Sequence, residues 1–201
     1  MESFRTDFIK SQLTFPQSLY NKPKWDLVVD VLSALSGGAK VLDIGFGYPF
    51  LGELTREKYE VCGVDSNEES MLHLPPERYK LADIERYIPF PDQYFDAVVM
   101  LEVIEHLKDV PATLGEMVRV LKLGGLAIIC TPNYSTLSGF LWRLLEGTYF
   151  KIFAGHYKDM KEHHINRYIL YSFVRELMPF FRKVRYIKFA YGTGLMAICK
   201  N

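Results

Sequence analysis

The chain has 201 residues, 49% of them apolar, enough for one domain to bury a continuous core without disulfide or metal staples. Its 24 Lys and Arg balance 24 Asp and Glu, which argues against the long-range attraction that a nucleic-acid partner or an anionic membrane would exploit. No apolar run approaches the ~20 residues of a membrane-spanning helix and the first ten residues lack a secretory pattern, so a cytoplasmic protein is expected. Cys62, Cys130 and Cys199 lie in separate apolar runs and read as buried thiols, not as a disulfide framework or a cysteine-rich metal site.

Residues 24–35 place Trp25, Val28, Val29, Leu32 and Leu35 at helical spacing before Gly37-Gly38, so a helix comes first. Short β-prone runs follow at 40–44, 59–64, 78–81, 94–101 and 125–131. Between them lie polar or amphipathic stretches; in 110–123, Leu114, Met117, Val118 and Leu121 share a face. Strands alternating with helices predict a parallel sheet covered on both sides. A long aromatic and basic stretch between Pro132 and Tyr171 has no clean period, and a connection of this length reads as a lid or substrate-binding segment. Residues 182–190 and 195–200, joined by Tyr191-Gly192-Thr193-Gly194, read as a closing antiparallel pair.

The segment Val41-Leu42-Asp43-Ile44-Gly45-Phe46-Gly47-Tyr48-Pro49 reads as a buried strand running into a glycine turn, with a helix over 51–58. Glycine lets the backbone turn sharply and approach a ligand closely, and a helix start presents unpaired N–H groups. Asp43 precedes the first glycine, where a carboxylate attracts an ammonium and repels a pyrophosphate; this favours a sulfonium amino acid over a dinucleotide. Asp65 ends the second strand, 20 residues after Gly45, where an acid accepts hydrogen bonds from two ribose hydroxyls. Asp83 follows the third strand and is placed to accept from an adenine amino group. Any one of these acids is equally a helix cap or loop aspartate; three at successive strand ends point to one ligand.

Val41 to Gly47, Asp65, Asp83 and residues 95–107 together resemble class I S-adenosylmethionine-dependent methyltransferases. The likeness continues through Leu121-Lys122-Leu123-Gly124-Gly125 and Thr131-Pro132-Asn133. Within that superfamily, Leu101-Glu102-Val103-Ile104-Glu105-His106-Leu107 resembles the small-molecule type 11/23 branch, which includes ubiquinone-biosynthesis O-methyltransferases. The resemblance implies an α/β fold, a Rossmann-like three-layer αβα sandwich whose seven-stranded, mostly parallel sheet has an antiparallel C-terminal strand. It implies S-adenosyl-L-methionine as cofactor and S-adenosyl-L-homocysteine as product. Asp43, Gly45, Gly47, Asp65, Ser66, Asp83, Ile84, Leu101 and Glu102 would bind the cofactor. Residues 1–201 would then be one methyltransferase domain, with an N-terminal helical segment 1–38, a cofactor-binding core 39–132, a lid 133–170 and a C-terminal helix with antiparallel strands over 171–201. Pro49 departs from the family, standing where a third glycine is usual. Proline donates no N–H but is tolerated at a first helical position, so the turn is read as altered and not abolished.

A helix starting after the fourth strand would place Glu102, Glu105 and His106, spaced i, i+3 and i+4, on one face. His164, in Glu162-His163-His164-Ile165-Asn166-Arg167-Tyr168, lies in a stretch resembling one that precedes the last helix in the same branch. A small-RNA 2′-O-methyltransferase branch uses a comparable set to hold a divalent ion, so Glu102, Glu105, His106 and His164 form an alternative metal set suited to Mg²⁺, Mn²⁺ or Zn²⁺. The favoured reading has no metal, with Glu102 lining the cofactor pocket.

The implied reaction is in-line methyl transfer to a small-molecule acceptor, with a hydroxyl as the expected nucleophile and positioning supplying much of the catalysis. An imidazole, of ordinary pKa ~6.5, suits removal of a hydroxyl proton, and His106 and His164 are the candidate bases. His73 reads as structural and His156 as part of the lid. One rival is a non-catalytic S-adenosylmethionine-binding or regulatory module of the same fold, motivated by Pro49. A second is an NAD(P)-dependent reductase, suggested by Tyr157-x-x-x-Lys161 but opposed by the missing third glycine and by Asp43.

Overall fold

The computed structural model describes residues 17–55, 58–71, 74–135 and 164–201. His73, His156, His163, the Tyr157 and Lys161 pair and most of the expected lid lie outside the described residues.

Seven strands form one sheet: β1 (Lys40–Ile44), β2 (Glu60–Asp65), β3 (Tyr79–Leu81), β4 (Phe95–Leu101), β5 (Leu121–Pro132), β6 (Lys183–Phe189) and β7 (Gly194–Lys200), in the order β3-β2-β1-β4-β5-β7-β6. Strands β1 to β5 pair in parallel, and β7 runs antiparallel to both of its neighbours, β5 and β6. The chain reverses its direction of travel across the sheet between β1 and β4. In an open α/β sheet the crevice beyond the carboxyl ends of the strands at such a point is where ligands sit.

Residue alternation along the strands feeds two cores. On one face, Val28 and Leu32 of α1 (Ser18–Leu32) and Leu51 of α2 (Phe50–Leu54) pack on Val41, Val61, Val99 and Ile128. On the other, Leu114 and Met117 of α3 (Val110–Val120) and Phe173 and Leu177 of α4 (Leu170–Leu177) pack on Leu42, Val64, Val98 and Ile129. The result is the helix–sheet–helix layering that alternating strands and helices require. Asp109 starts α3 by accepting the Ala112 N–H at 3.0 Å, with Pro111 in the first turn where no N–H is needed. The three cysteines are buried and free.

Several boundaries differ from the sequence expectation. Helix α1 begins at Ser18 and runs through Pro23, six residues before the expected start. The lost backbone bond at Pro23 is offset by tertiary contacts of the first turn, where Tyr20 packs on Phe189 with ring centroids 5.1 Å apart. Helix α2 is only five residues long, and Pro49 is the residue before it, not its first member. Strand β5 starts at Leu121, so the expected 110–123 helix ends three residues early. Its pairing with β4 shifts register between Phe95 and Ala97, and Gly124 has φ +74°. A glycine pair absorbs that irregularity within one long strand.

Candidate active site

The glycine turn sits at the carboxyl end of β1. Gly45 and Gly47 take φ of +67° and +55°, the left-handed region open to glycine at little cost. At Gly45 an added Cβ would lie 2.4 Å from Val103 Cγ2, whereas at Gly47 it would meet nothing within 4 Å. The first glycine therefore lets the 102–106 segment close over the turn, and the second leaves open space. Gly45→Ala combines strain at positive φ with overpacking, and is expected to cost ~2–4 kcal/mol, read as a fall of roughly 5–15 °C in Tm.

Asp43 and Asp65 are both buried. No described residue donates a hydrogen bond to the Asp43 carboxylate, and burial, with the neighbouring charge of Asp65 second, pushes its pKa up to about 8. Asp65 accepts the Gly47 N–H through Oδ2 and the Asn67 N–H through Oδ1, each at 2.8 Å. A carboxylate has about four acceptor positions, so two remain. The turn's own N–H groups are engaged: Gly47 with Asp65, Tyr48 with the Phe46 carbonyl and Phe50 with the Tyr48 carbonyl, while Pro49 has none. Ser66 and Asp83 are exposed, Ile84 is buried and Leu101 is half-buried. The structure places Asp83 in a local turn, where Oδ1 accepts the Glu85 N–H at 3.1 Å and Arg86 pairs with it at 3.4 Å.

The segment after β4 does not continue as a helix, contrary to the sequence expectation. Glu102 adopts φ +58°, a left-handed conformation that costs a non-glycine residue on the order of 1 kcal/mol or more, and a single 3-10 turn, Ile104–His106, follows. This sends Glu102 and Glu105 to different partners. Glu102 Oε1 accepts from the Tyr20 hydroxyl at 2.8 Å and from the Cys130 thiol at 3.0 Å, with Lys24 Nζ at 3.9 Å. Tyr20 and Lys24 lie one turn apart on α1, and Lys24 is buried against the Tyr20 and Trp25 rings. Burial, with Glu102 adding to it, holds the Tyr20 phenol well above its usual range.

Glu105 is buried and accepts from Thr131 Oγ1 at 3.0 Å. Burial first, and the charge of Glu102 second, raise its carboxyl well above the ordinary range. His106 meets His164 edge to face, ring centroids 4.7 Å apart, and the Tyr134 hydroxyl is hydrogen-bonded to His164 Nδ1. Asn166 fixes this meeting: its N–H donates to the Glu105 carbonyl at 2.9 Å and its side-chain amide to the Leu107 carbonyl at 2.7 Å. Ligand atoms of Glu105, His106 and His164 all lie within 4.8 Å of one another. The structure thus brings together three of the four residues in the alternative metal set, and turns Glu102 to α1. From the sequence, no site role was assigned to Tyr20, Lys24, Thr131, Tyr134 or Asn166. The i, i+4 spacing of Tyr20 and Lys24 was the one available signal, and Pro23 between them concealed it.

Residues 42–129 match the family described as "Methyltransferase domain". A Mycolicibacterium smegmatis protein named "Probable S-adenosylmethionine-dependent methyltransferase" is 34% identical over 118 residues, 56% of this chain and 46% of that protein. A "Ubiquinone biosynthesis O-methyltransferase" of Bradyrhizobium is 39% identical over 111 residues, 51% of this chain and 43% of that protein. The matched stretch thus spans less than half of either curated relative. Among solved structures, a SAM-dependent methyltransferase from Archaeoglobus fulgidus superposes with TM-score 0.70 over 98% of this chain and 99% of that one, at 18% identity. One from Aquifex aeolicus gives 0.63 over 94% and 92%, at 19%. These two show the fold.

These matches support a class I S-adenosylmethionine-dependent methyltransferase domain over residues 42–129. The cofactor of such a domain is S-adenosyl-L-methionine, with S-adenosyl-L-homocysteine as its product, and the residues present fit it. A methyltransferase of this kind must hold a cationic amino acid end and a ribose. The buried Asp43 carboxylate has no donor among the described residues, Asp65 keeps acceptor capacity, and Gly47, whose N–H Asp65 accepts, faces open space. Among the described residues, no helix is long and apolar enough to cross a membrane.

Proposed function

We propose that the chain transfers the methyl group of S-adenosylmethionine to a hydroxyl of a small-molecule acceptor, with His164 and His106 as the bases. The carrying observation is the meeting of these histidines in the turn that follows β4, from segments that Asn166 ties together. Relatives named for O-methylation support an oxygen nucleophile.

When bound, the cofactor supplies the electrophilic methyl group on its positively charged sulfur. Asp43 would hold the ammonium and Asp65 the ribose. His164 or His106 would take the hydroxyl proton of the acceptor as that oxygen received the methyl group, leaving S-adenosylhomocysteine. Tyr134, bonded to His164 Nδ1, fixes that ring so that its other nitrogen is set by orientation and tautomer. Effective proton removal by a placed base contributes about 10²- to 10⁴-fold.

Turnover of a panel of phenolic and aliphatic hydroxyl compounds, followed by S-adenosylhomocysteine release, tests the proposal. His164→Ala is expected to lower kcat by about 10²- to 10⁴-fold while cofactor affinity stays within a factor of two or so. Cofactor binding without product release from any acceptor would favour the non-catalytic module instead. A second reading uses the same trio as ligands: one carboxylate and two imidazoles within 4.8 Å suit a divalent cation. Chelation is expected to leave transfer unchanged; activity lost on chelation and restored by Mg²⁺, Mn²⁺ or Zn²⁺ would reassign Glu105, His106 and His164 to a metal.

A further inference from the structure

The chain is neutral only as an average. Residues 177–201 contain five Lys and Arg and neither Asp nor Glu, leaving 19 cations against all 24 acids in the rest. Arg182, Lys183, Arg185, Lys188 and Lys200 are all exposed, and none forms an ion pair with a described residue. Four of them line β6, the outermost strand, or the residue that leads into it; the fifth is on β7.

Two features go beyond the lysines that commonly protect an edge strand from pairing with another chain. Lys183 is the register partner of Lys200, and like charges directly opposite each other across two strands are destabilising. Lys200 lies on the inner strand of the pair, where edge protection has no use for it. In addition, two tyrosines are interleaved with the cations, Tyr186 at 52% and Tyr191 at 86% exposure. They are the large apolar side chains exposed between residues 182 and 201.

At a rise of ~3.4 Å per residue, positions 183, 185 and 188 are about 7 and 10 Å apart along the strand, and alternation puts Lys183 and Arg185, with Lys200, on one face of this edge and Tyr186 with Lys188 on the other. The strip climbs from the amino end of the parallel strands, where Lys200 pairs with Leu126, to the carboxyl rim. There the 190–192 turn meets the residue before Tyr134: the Asn133 side-chain amide donates to the Gly192 carbonyl at 2.8 Å. Exposed cations and aromatic rings on both sides of one sheet edge fit a single-stranded nucleic acid lying along that edge, its phosphates against the charges and its bases against the rings. A bilayer would instead call for exposed aliphatic side chains along the strip, and Val184, Ile187 and Ile198 are half-buried.

We infer that the β6–β7 edge is a binding track for single-stranded RNA, separate from the cofactor site and ending near its rim. Binding of a fluorescein-labelled 20-nucleotide single-stranded RNA, measured by anisotropy at 50 to 200 mM salt, tests it. The expected result is saturable binding whose log–log salt slope is about −2 to −3, the value for three to four phosphate contacts on a single strand. The triple variant Lys183→Glu, Arg185→Glu, Lys188→Glu is expected to weaken binding more than tenfold, and the Gln counterpart to make the slope shallower by about 2. Both should keep the wild-type Tm within a few degrees and the same S-adenosylmethionine affinity. No RNA binding by the wild type at 50 mM salt, or binding that the triple variants leave unchanged, would overturn the inference. So would uptake by phosphatidylglycerol vesicles without RNA binding, which would assign the strip to a membrane surface.

Discussion

Asp65→Ala is expected to lower the affinity for S-adenosylmethionine by about 100-fold or more. Hydrogen bonds to a charged group are worth about 1.5–3 kcal/mol each, and a ribose diol would make two of them to the acceptor positions left after Gly47 and Asn67 are served. The same substitution removes the acceptor of the Gly47 N–H, so the glycine turn loses its tie to β2. Circular dichroism and Tm separate that local loosening from loss of the fold. Calorimetric titration of folded Asp65→Ala giving an affinity within threefold of wild type would remove Asp65 from the cofactor site.

Asp43→Asn is expected to separate stability from binding. In the free protein burial and Asp65 raise the Asp43 pKa to about 8, above the ~3.9 of an unfolded aspartate. Between those values the folded state holds more protons than the unfolded state, so stability falls as pH rises from about 4 to 8 and then levels off. Asn carries no such penalty. The variant should therefore gain on the wild type across that window, by roughly 2–5 kcal/mol at pH 9, in urea unfolding followed at several pH values.

Binding should move the other way. The ligand's ammonium favours ionised Asp43, so wild-type affinity rises with pH until Asp43 is ionised near 8. It falls again once the ligand's own α-amino group, with pKa ~8, loses its proton. Asp43→Asn should bind about 10- to 100-fold more weakly near pH 8 and lose the rising limb. An Asn variant that is less stable than wild type at pH 9 would contradict the unpaired state of Asp43.

The sheet and its layering were legible because two periods alternate along the chain. Val41 and Leu42 go to opposite cores, as a doubly covered strand requires, and Leu114 and Met117 mark one helical face. The acids at the ends of β1 and β2 were legible for the same reason, since the strands place them. Asp83 shows the limit of that inference: the end of a short third strand puts it in an exposed turn with Arg86. What sequence could not supply depends on unusual backbone or on distant neighbours. Nothing local announces a left-handed Glu102, and its conformation is held by Tyr20 and Cys130 from two other elements. A helix through Pro23 is disfavoured locally and is stabilised only by its packing. Net charge concealed the basic edge, because acids elsewhere in the chain cancel it.

The histidine site is a mixed case. His106 and His164 are 58 positions apart in the chain, and no periodicity predicts their contact. It arises because Asn166 satisfies the carbonyls of the 104–107 turn, a polar match that spacing does not reveal. Glu105 enters the same cluster only because the short 3-10 turn directs it inward toward Thr131.

The central claim is that the acid-lined turn at the ends of β1 and β2 takes S-adenosylmethionine. The most direct measurement is calorimetric titration of that compound into the wild-type chain at pH 7, in two buffers of different ionisation enthalpy. One saturable site is predicted, with release of about one proton as Asp43 ionises against the ligand. Failure to bind, or tighter binding of a nicotinamide dinucleotide in the same titration, would contradict it.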